Sequence, residues 1–158
     1  MALFLSTYVN KVDRKGRVSV PAPFRAAIAA QSFAGIVVFP AINLAALEAS
    51  GIDRMEELSS RINALPDFSE ERDAISAIFP DTQQLPFDGE GRIILLPKLA
   101  AHAGIVIEGN AAFVGLGSTF QIWEPERFER HQQQRRERAR GLTLPARPVG
   151  PVQPGGGR

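Results

Sequence analysis

Runs of β-branched and aromatic residues, broken by turn residues, fill both ends of this chain, and apolar residues at helical spacing fill its middle. Residues 7–12 (TYVNKV) and 17–20 (RVSV) read as two strands flanking the turn Asp13–Arg17. Residues 84–87 (QLPF) and 92–96 (RIILL) do the same around Asp88–Arg92. Each second strand is stopped by a proline that opens a short helix. Pro23 suits the first turn of APFRAAIAA, where its missing N–H costs nothing. PKLAAHA, from Pro97, is followed by Gly104, a natural helix end. GIVVF (35–39) and INLAALE (42–48) then read as strands, as do AAFVGLG (111–117) and TFQIWE (119–124). Helix propensity competes for INLAALE; its likeness to TFQIWE favours the strand. In the middle, apolar residues at 52, 55, 58, 62 and 65 predict a helix. Ser69 is placed to cap a second helix, EERDAISAIF, which Pro80 ends. Pro125 opens a last helix, PERFERHQQQRRERAR.

These elements repeat. DRKGR at 13–17 matches DGEGR at 88–92 with an offset of 75, and Pro21 matches Pro97 with an offset of 76. LAALE at 44–48 matches FQIWE at 120–124, again with 76, so one residue is expected to be inserted just after Arg92. The organisation expected is a unit over 7–52, connecting helices over 53–81, a second unit over 82–125, a helix over 126–140 and a tail over 141–158. The Pro- and Gly-rich tail cannot bury enough surface to offset its ordering and is expected to be disordered. Within each turn, Asp13 and Asp88 are expected to accept backbone hydrogen bonds, and Gly16 and Gly91 to supply the exit geometry of a type I turn.

The charge pattern sharpens this picture. The net charge of +1 resolves into +4 over residues 1–25, −9 over 26–126 and +6 over 127–158. Such segregation suits a chain that meets a polyanion on one face; a merely solvated surface is the alternative. With 44% hydrophobic residues among 158, a sizeable core is available. No cysteine is present, so disulfides, thiolate metal sites and thiol nucleophiles are excluded. MALFL is too short for a signal peptide or a membrane span. His102 and His131 lack a ligand cluster, GLGSTF does not complete a dinucleotide fingerprint, and no phosphate-binding loop is found, so no metal and no cofactor is expected.

With VDRKGRVSVPAPFR, DGEGRIILLPKLAAHAGI and FQIWEPERFE in view, the sequence resembles the MraZ family of bacterial transcriptional regulators, which carry two SpoVT-AbrB units in tandem. The similarity runs over roughly residues 5–135. The resemblance implies a mixed α/β, mainly β fold: a swapped-hairpin β-barrel built from both units, with peripheral helices. It implies no enzyme, but a repressor of its own promoter and of the division and cell-wall gene cluster. Its partners would be double-stranded DNA, at repeated short boxes, and further copies of itself in a ring. It would reside in the cytoplasm, at the nucleoid.

Arg17 matches the family's DNA contact; from the residues alone it is equally a partner for Asp13. Lys15 matches a position usually lysine in the family, and Arg14 adds charge beside it. Arg92 is either a lone DNA contact or a structural partner of Asp88, because Glu90 gives its turn a net charge of −1 against +2 for the first. Lys11, on the strand, is read as solvated; the run RRERAR is either a solvated helix end or, near DNA, a source of nonspecific affinity. The rivals are an antitoxin-like DNA binder built from the same unit and a ring-forming protein scaffold.

Overall fold

The computed structural model describes residues 2–142. The expected tail therefore lies, from residue 143 on, outside the described residues. The first copy contributes β1 (Thr7–Lys11), β2 (Arg17–Ser19), α1 (Ala22–Ala27), β3 (Gly35–Pro40) and β4 (Leu47–Ser50). The connection holds α2 (Ile52–Ala64), α3 (Glu70–Ser76) and a 3-10 turn, Phe79–Asp81. The second copy follows as β5 (Gln83–Pro86), β6 (Arg92–Ile94), α4 (Pro97–Ala103), β7 (Asn110–Gly115) and β8 (Phe120–Trp123), then α5 (Pro125–Ala139). Ser69 caps α3 by accepting a hydrogen bond from Arg72 N at 3.1 Å, and Gly104 ends α4 at φ +70°.

Neither copy completes a sheet alone. A six-stranded antiparallel sheet runs in the order β1-β7-β8-β4-β3-β5, and β2 pairs with β6 in a separate two-stranded ribbon. Each copy lends its first strand to the other: Thr7 faces Val114 and Ile36 faces Leu85. The copies meet again at the centre, where Leu47 faces Ile122. The resemblance implied a closed barrel. The ladders observed are those of an open six-stranded sheet plus the ribbon, and β1 and β5 are the sheet's two edges.

The inner face of this sheet carries Ile36, Val38, Leu47, Leu85, Phe113, Phe120 and Ile122. The ribbon covers that face with Val18, Val20, Ile93 and Leu95, and α1 and α4 add Phe24, Leu99 and Ala103. At the centre Phe4, Phe24 and Phe120 pack with ring centroids 4.8–5.2 Å apart. Phe4 precedes the unit boundary expected from sequence, yet it is fully buried and exchanges backbone hydrogen bonds with Gly117. On the outer face α2 packs Met55 and Leu58 on Val37, and α5 packs Phe128 on Ala112, Val114 and Trp123. No helix among the described residues is long and apolar enough to cross a membrane.

The ladders correct the repeat alignment. Arg17 faces Ile94 and Ser19 faces Arg92, so an offset of 75 continues unbroken past Arg92 with no inserted residue. It carries Phe24 onto Leu99, both buried, and β3 onto β7. The change comes later and has the opposite sign. The β3–β4 connection, 41–46, is two residues longer than its counterpart, 116–119, so Leu47 corresponds to Phe120 and Ser50 to Trp123, an offset of 73. The strand expected over 42–48 is accordingly displaced: residues 42–46 form bends in that longer loop, and β4 is Leu47–Ser50.

Candidate nucleic-acid interface

Each hairpin turn is organised by its aspartate. Asp13 Oδ1 accepts hydrogen bonds from Lys15 N at 2.9 Å and Arg17 N at 2.8 Å, and Oδ2 accepts from Arg17 Nε at 2.6 Å. Gly16 N donates to Asp13 O at 3.0 Å, and Asp13 N to Arg17 O at 2.8 Å. With Gly16 at φ +81°, this is a type I turn closed by a left-handed glycine, the usual three-residue hairpin loop. The second turn repeats the pattern atom for atom. Asp88 Oδ1 accepts from Glu90 N and Arg92 N, both at 2.9 Å, and Oδ2 accepts from Arg92 Nε at 2.8 Å, with Gly91 at φ +77°.

Both carboxyls lie below the ordinary aspartate range. For Asp13, partial burial pushes upward and is outweighed by the backbone and side-chain hydrogen bonds of Arg17 and the backbone bond of Lys15. For Asp88 the backbone bond from Arg92 leads, against burial, followed by Glu90 N and the Arg92 side chain.

The ribbon joins the two turns. Leu95 N donates to Gly16 O at 2.8 Å and Val20 N to Gly91 O at 3.1 Å, so each turn's glycine is paired with the other copy's strand. Strand alternation then sorts the side chains. Val18 and Ile93 enter the core, while Arg17, Ser19, Arg92 and Ile94 share the outward face. Arg17 and Arg92 are diagonal neighbours there, at the spacing of about 7–8 Å or less that lets long side chains meet. Ile94, 54% exposed, stands directly opposite Arg17.

In both arginines the aspartate engages Nε and so fixes the plane of the guanidinium. For Arg17, no acceptor among the described residues holds the two terminal nitrogens, the fork that grips a phosphate or a guanine edge. Arg92 is more occupied: its NH1 lies 3.5 Å from Glu90 Oε2, and Asp88, then the opposing pull of burial, then Asp88 and Glu90 as charges leave its pKa raised. Lys15 is exposed at the tip of the first turn. Arg14 is 89% exposed and only loosely paired, at 4.0 Å from Glu108.

Arg25, which the sequence reading counted only as charge, belongs to this surface. It reaches from α1 across the ribbon, donates Nε to Val20 O at 3.1 Å, and lays its guanidinium over Gly91. Its counterpart at offset 75 is Ala100, so only the second turn gains a cation this way. A compact copy contact was not legible in a sequence where Arg25 and Gly91 stand 66 residues apart.

The remaining singled-out residues lie elsewhere. Lys11 is exposed on β1. His102 Nε2 is 3.0 Å from Leu44 O. His131 is stacked on Trp123, with ring centroids 4.6 Å apart. Phe120 and Trp123 face opposite sides of the sheet and are buried in separate clusters. Among the described residues no three of the histidine and acidic side chains come together as a metal site.

Residues 78–143 match a family model described as "MraZ protein, putative antitoxin-like". Proteins named Transcriptional regulator MraZ are similar over most of their length. Those of Rickettsia akari (strain Hartford) and Rickettsia rickettsii (strain Sheila Smith) are each 49% identical over 132 residues, covering 83% of this chain and 87% of theirs. That of Pelagibacter ubique (strain HTCC1062) is 46% identical over 138 residues, covering 87% of this chain and 88% of its own. At such identity and coverage, together with the doubled aspartate-arginine turn, the chain belongs to the MraZ family.

Proposed function

We propose that the chain is a sequence-specific DNA-binding transcriptional regulator that reads duplex DNA with the outward face of the β2–β6 ribbon. One observation carries this: Arg17 and Arg92 stand side by side on one face of a two-stranded ribbon, each guanidinium oriented by an aspartate. The major groove of B-DNA admits such a ribbon, and arginine pairs with guanine O6 and N7, each good pair discriminating by about 1–3 kcal/mol. The names of the relatives support the reading.

Arg17 is the principal contact, Lys15 and Arg14 contact phosphates, and Arg92 contributes less because Glu90 repels the backbone. Asp13, Gly16, Asp88 and Gly91 hold the turns. The units 7–52 and 82–125 act together as one swapped-hairpin fold, a reading supported by the exchange of β1 and β5. Copies assemble into a ring that engages repeated short boxes, and many weak contacts then add by multivalency. Leu3, Leu5 and Val9, all more than half exposed near the β1 edge, support self-association. The regulator represses its own promoter and the division and cell-wall cluster from the cytoplasm, at the nucleoid, with no catalysis and no cofactor.

Footprinting on the DNA upstream of its own gene tests this. Several evenly spaced protected boxes, lost with Arg17→Ala, are expected; absence of protection overturns the proposal. The matched family's description favours a second reading, an antitoxin, for which a stable complex with a neighbouring gene's product would be required.

A further inference from the structure

α5 consists of two unlike halves. Its first half is anchored: Glu124 caps it by accepting from Arg127 N at 2.8 Å, Phe128 is buried, and His131 stacks on Trp123. Beyond residue 132 every described side chain of the helix is exposed. That stretch, QQRRERA, holds no residue that needs a core, yet the chain continues it as helix.

The arginines of α5 differ from most of those elsewhere, Arg25 excepted, whose partner is the carbonyl of Val20. Arg14, Arg17, Arg54, Arg61, Arg72 and Arg92 each have a carboxylate within 4.0 Å. Among the described residues, none of Arg130, Arg135, Arg136 and Arg138 does, although Glu137 lies among them. Arg135 and Arg138 are three apart on the helix, where like charges oppose each other. Their field, together with the larger effect of burial, holds His131 below the ordinary histidine range. A surface of unpaired, mutually repelling guanidinium groups is complementary to a polyanion.

Its position separates it from the ribbon. The ribbon covers the inner face of the sheet, whereas α5 packs on the outer one. The end of α5 lines a cavity with Ser6 and Thr7, at the start of β1, while the Arg14–Lys15 turn follows the end of β1. The five residues of that strand put about 17 Å between the two.

We propose that the last two turns of α5, through Arg135, Arg136 and Arg138, form a second, sequence-independent contact for the phosphate backbone of duplex DNA. The stretch offers no Trp, Phe or Leu to enter a lipid interface, which argues against a membrane. Duplex DNA fits because the relatives are named transcriptional regulators, and Arg135 and Arg138, three apart, share one helical face, with Arg136 on the adjoining flank. The contact would hold the protein on DNA of any sequence and leave the ribbon to choose among sequences.

The test uses the full chain carrying Arg135→Gln, Arg136→Gln and Arg138→Gln, substitutions that keep a good helix former. Binding to a random-sequence duplex and to a duplex from upstream of the chain's own gene is followed by anisotropy as sodium chloride is raised. The logarithmic salt slope on random DNA should fall by about 2–3 per bound subunit, since each neutralised phosphate contributes about 0.9. Preference for the upstream duplex should rise. Arg17→Ala should do the reverse, abolishing the preference while keeping the random-DNA slope; if it changes nothing, the ribbon reading fails and the α5 proposal stands. An unchanged slope in the triple variant overturns the proposal. So does loss of binding to phosphatidylserine vesicles with DNA binding intact. Should the triple variant lose its helical circular dichroism, Arg136→Gln alone is measured, and a slope reduced by about one supports the contact while none refutes it.

Discussion

A single methyl group added at Gly16 or at Gly91 separates what the two turns share from what distinguishes them. Both glycines are left-handed, at φ +81° and +77°, so alanine at either costs about 1–2 kcal/mol in the backbone. At Gly16 the new Cβ meets nothing nearer than Leu95 O at 3.4 Å, an ordinary contact. At Gly91 it would lie 2.5 Å from Arg25 Cζ and 2.6 Å from Nε, so the guanidinium must leave. That removes the Arg25 Nε bond to Val20 O, worth about 1 kcal/mol. Gly16→Ala should therefore cost about 1–2 kcal/mol and Gly91→Ala about 2–3 kcal/mol. For a chain of this size the melting temperature should fall by about 2–8 °C and about 4–12 °C respectively. Calorimetry at one fixed protein concentration reads this, because assembly shifts melting by mass action. The decisive measurement is the cycle with Arg25→Ala. On that background Gly91→Ala should cost no more than Gly16→Ala. An excess that persists without Arg25, or equal costs with Arg25 present, would refute the account of how Arg25 serves the second turn.

Four further outcomes follow from the same surfaces. Glu90→Lys should raise affinity for random duplex and steepen its salt dependence, measured by titration; no change would mean that the second turn does not approach DNA. Ile94→Ala should weaken binding to the upstream duplex, and replacing thymine by deoxyuridine should then cost the variant less than the wild type, as expected of a side chain resting on thymine methyls. Phe4→Ala should cost about 3–5 kcal/mol in denaturant unfolding, as loss of a fully buried aromatic does. For Asp13 and Asp88 the folded pKa lies below the unfolded one, so the unfolded chain binds more protons in acid. Their stabilisation is present above about pH 4 and is lost as pH falls through the folded values; Asp13→Asn should therefore flatten the dependence of the unfolding midpoint on pH in that window.

What sequence made legible was local. The turn chemistry of Asp13–Arg17 and Asp88–Arg92 is written in consecutive residues, and so is the Ser69 cap, because each is satisfied within a few positions. The repeat was visible for the same reason, but its alignment was not. Pro21 and Pro97 are both helix-opening prolines without being equivalent positions, and LAALE matched FQIWE on composition alone. Only the ladders, which bind the copies over long separations, fix the offsets of 75 and 73. The loop 41–46 misled because its alanines and leucines suit a buried segment; Ala46 is buried, but under Trp123 and Phe128 rather than in a strand. Phe4 and Arg25 were missed because their partners, Gly117 and Gly91, come from the other copy.

The exchange of first strands has a kinetic side. β1 is complete at Lys11, but its partner β7 does not exist until Val114 has been added, about 100 residues later. At 5–20 residues per second this is roughly 5–20 s of synthesis. Contacts of such long range must also meet their loop-closure entropy before the paired strands reward it, which slows the search further. Throughout that interval the first hairpin is an unpaired edge on a ribosome-bound chain, open to other strands and to proteases. A ribosome that stalls anywhere before β7 would release a chain whose first strand has nothing to pair with.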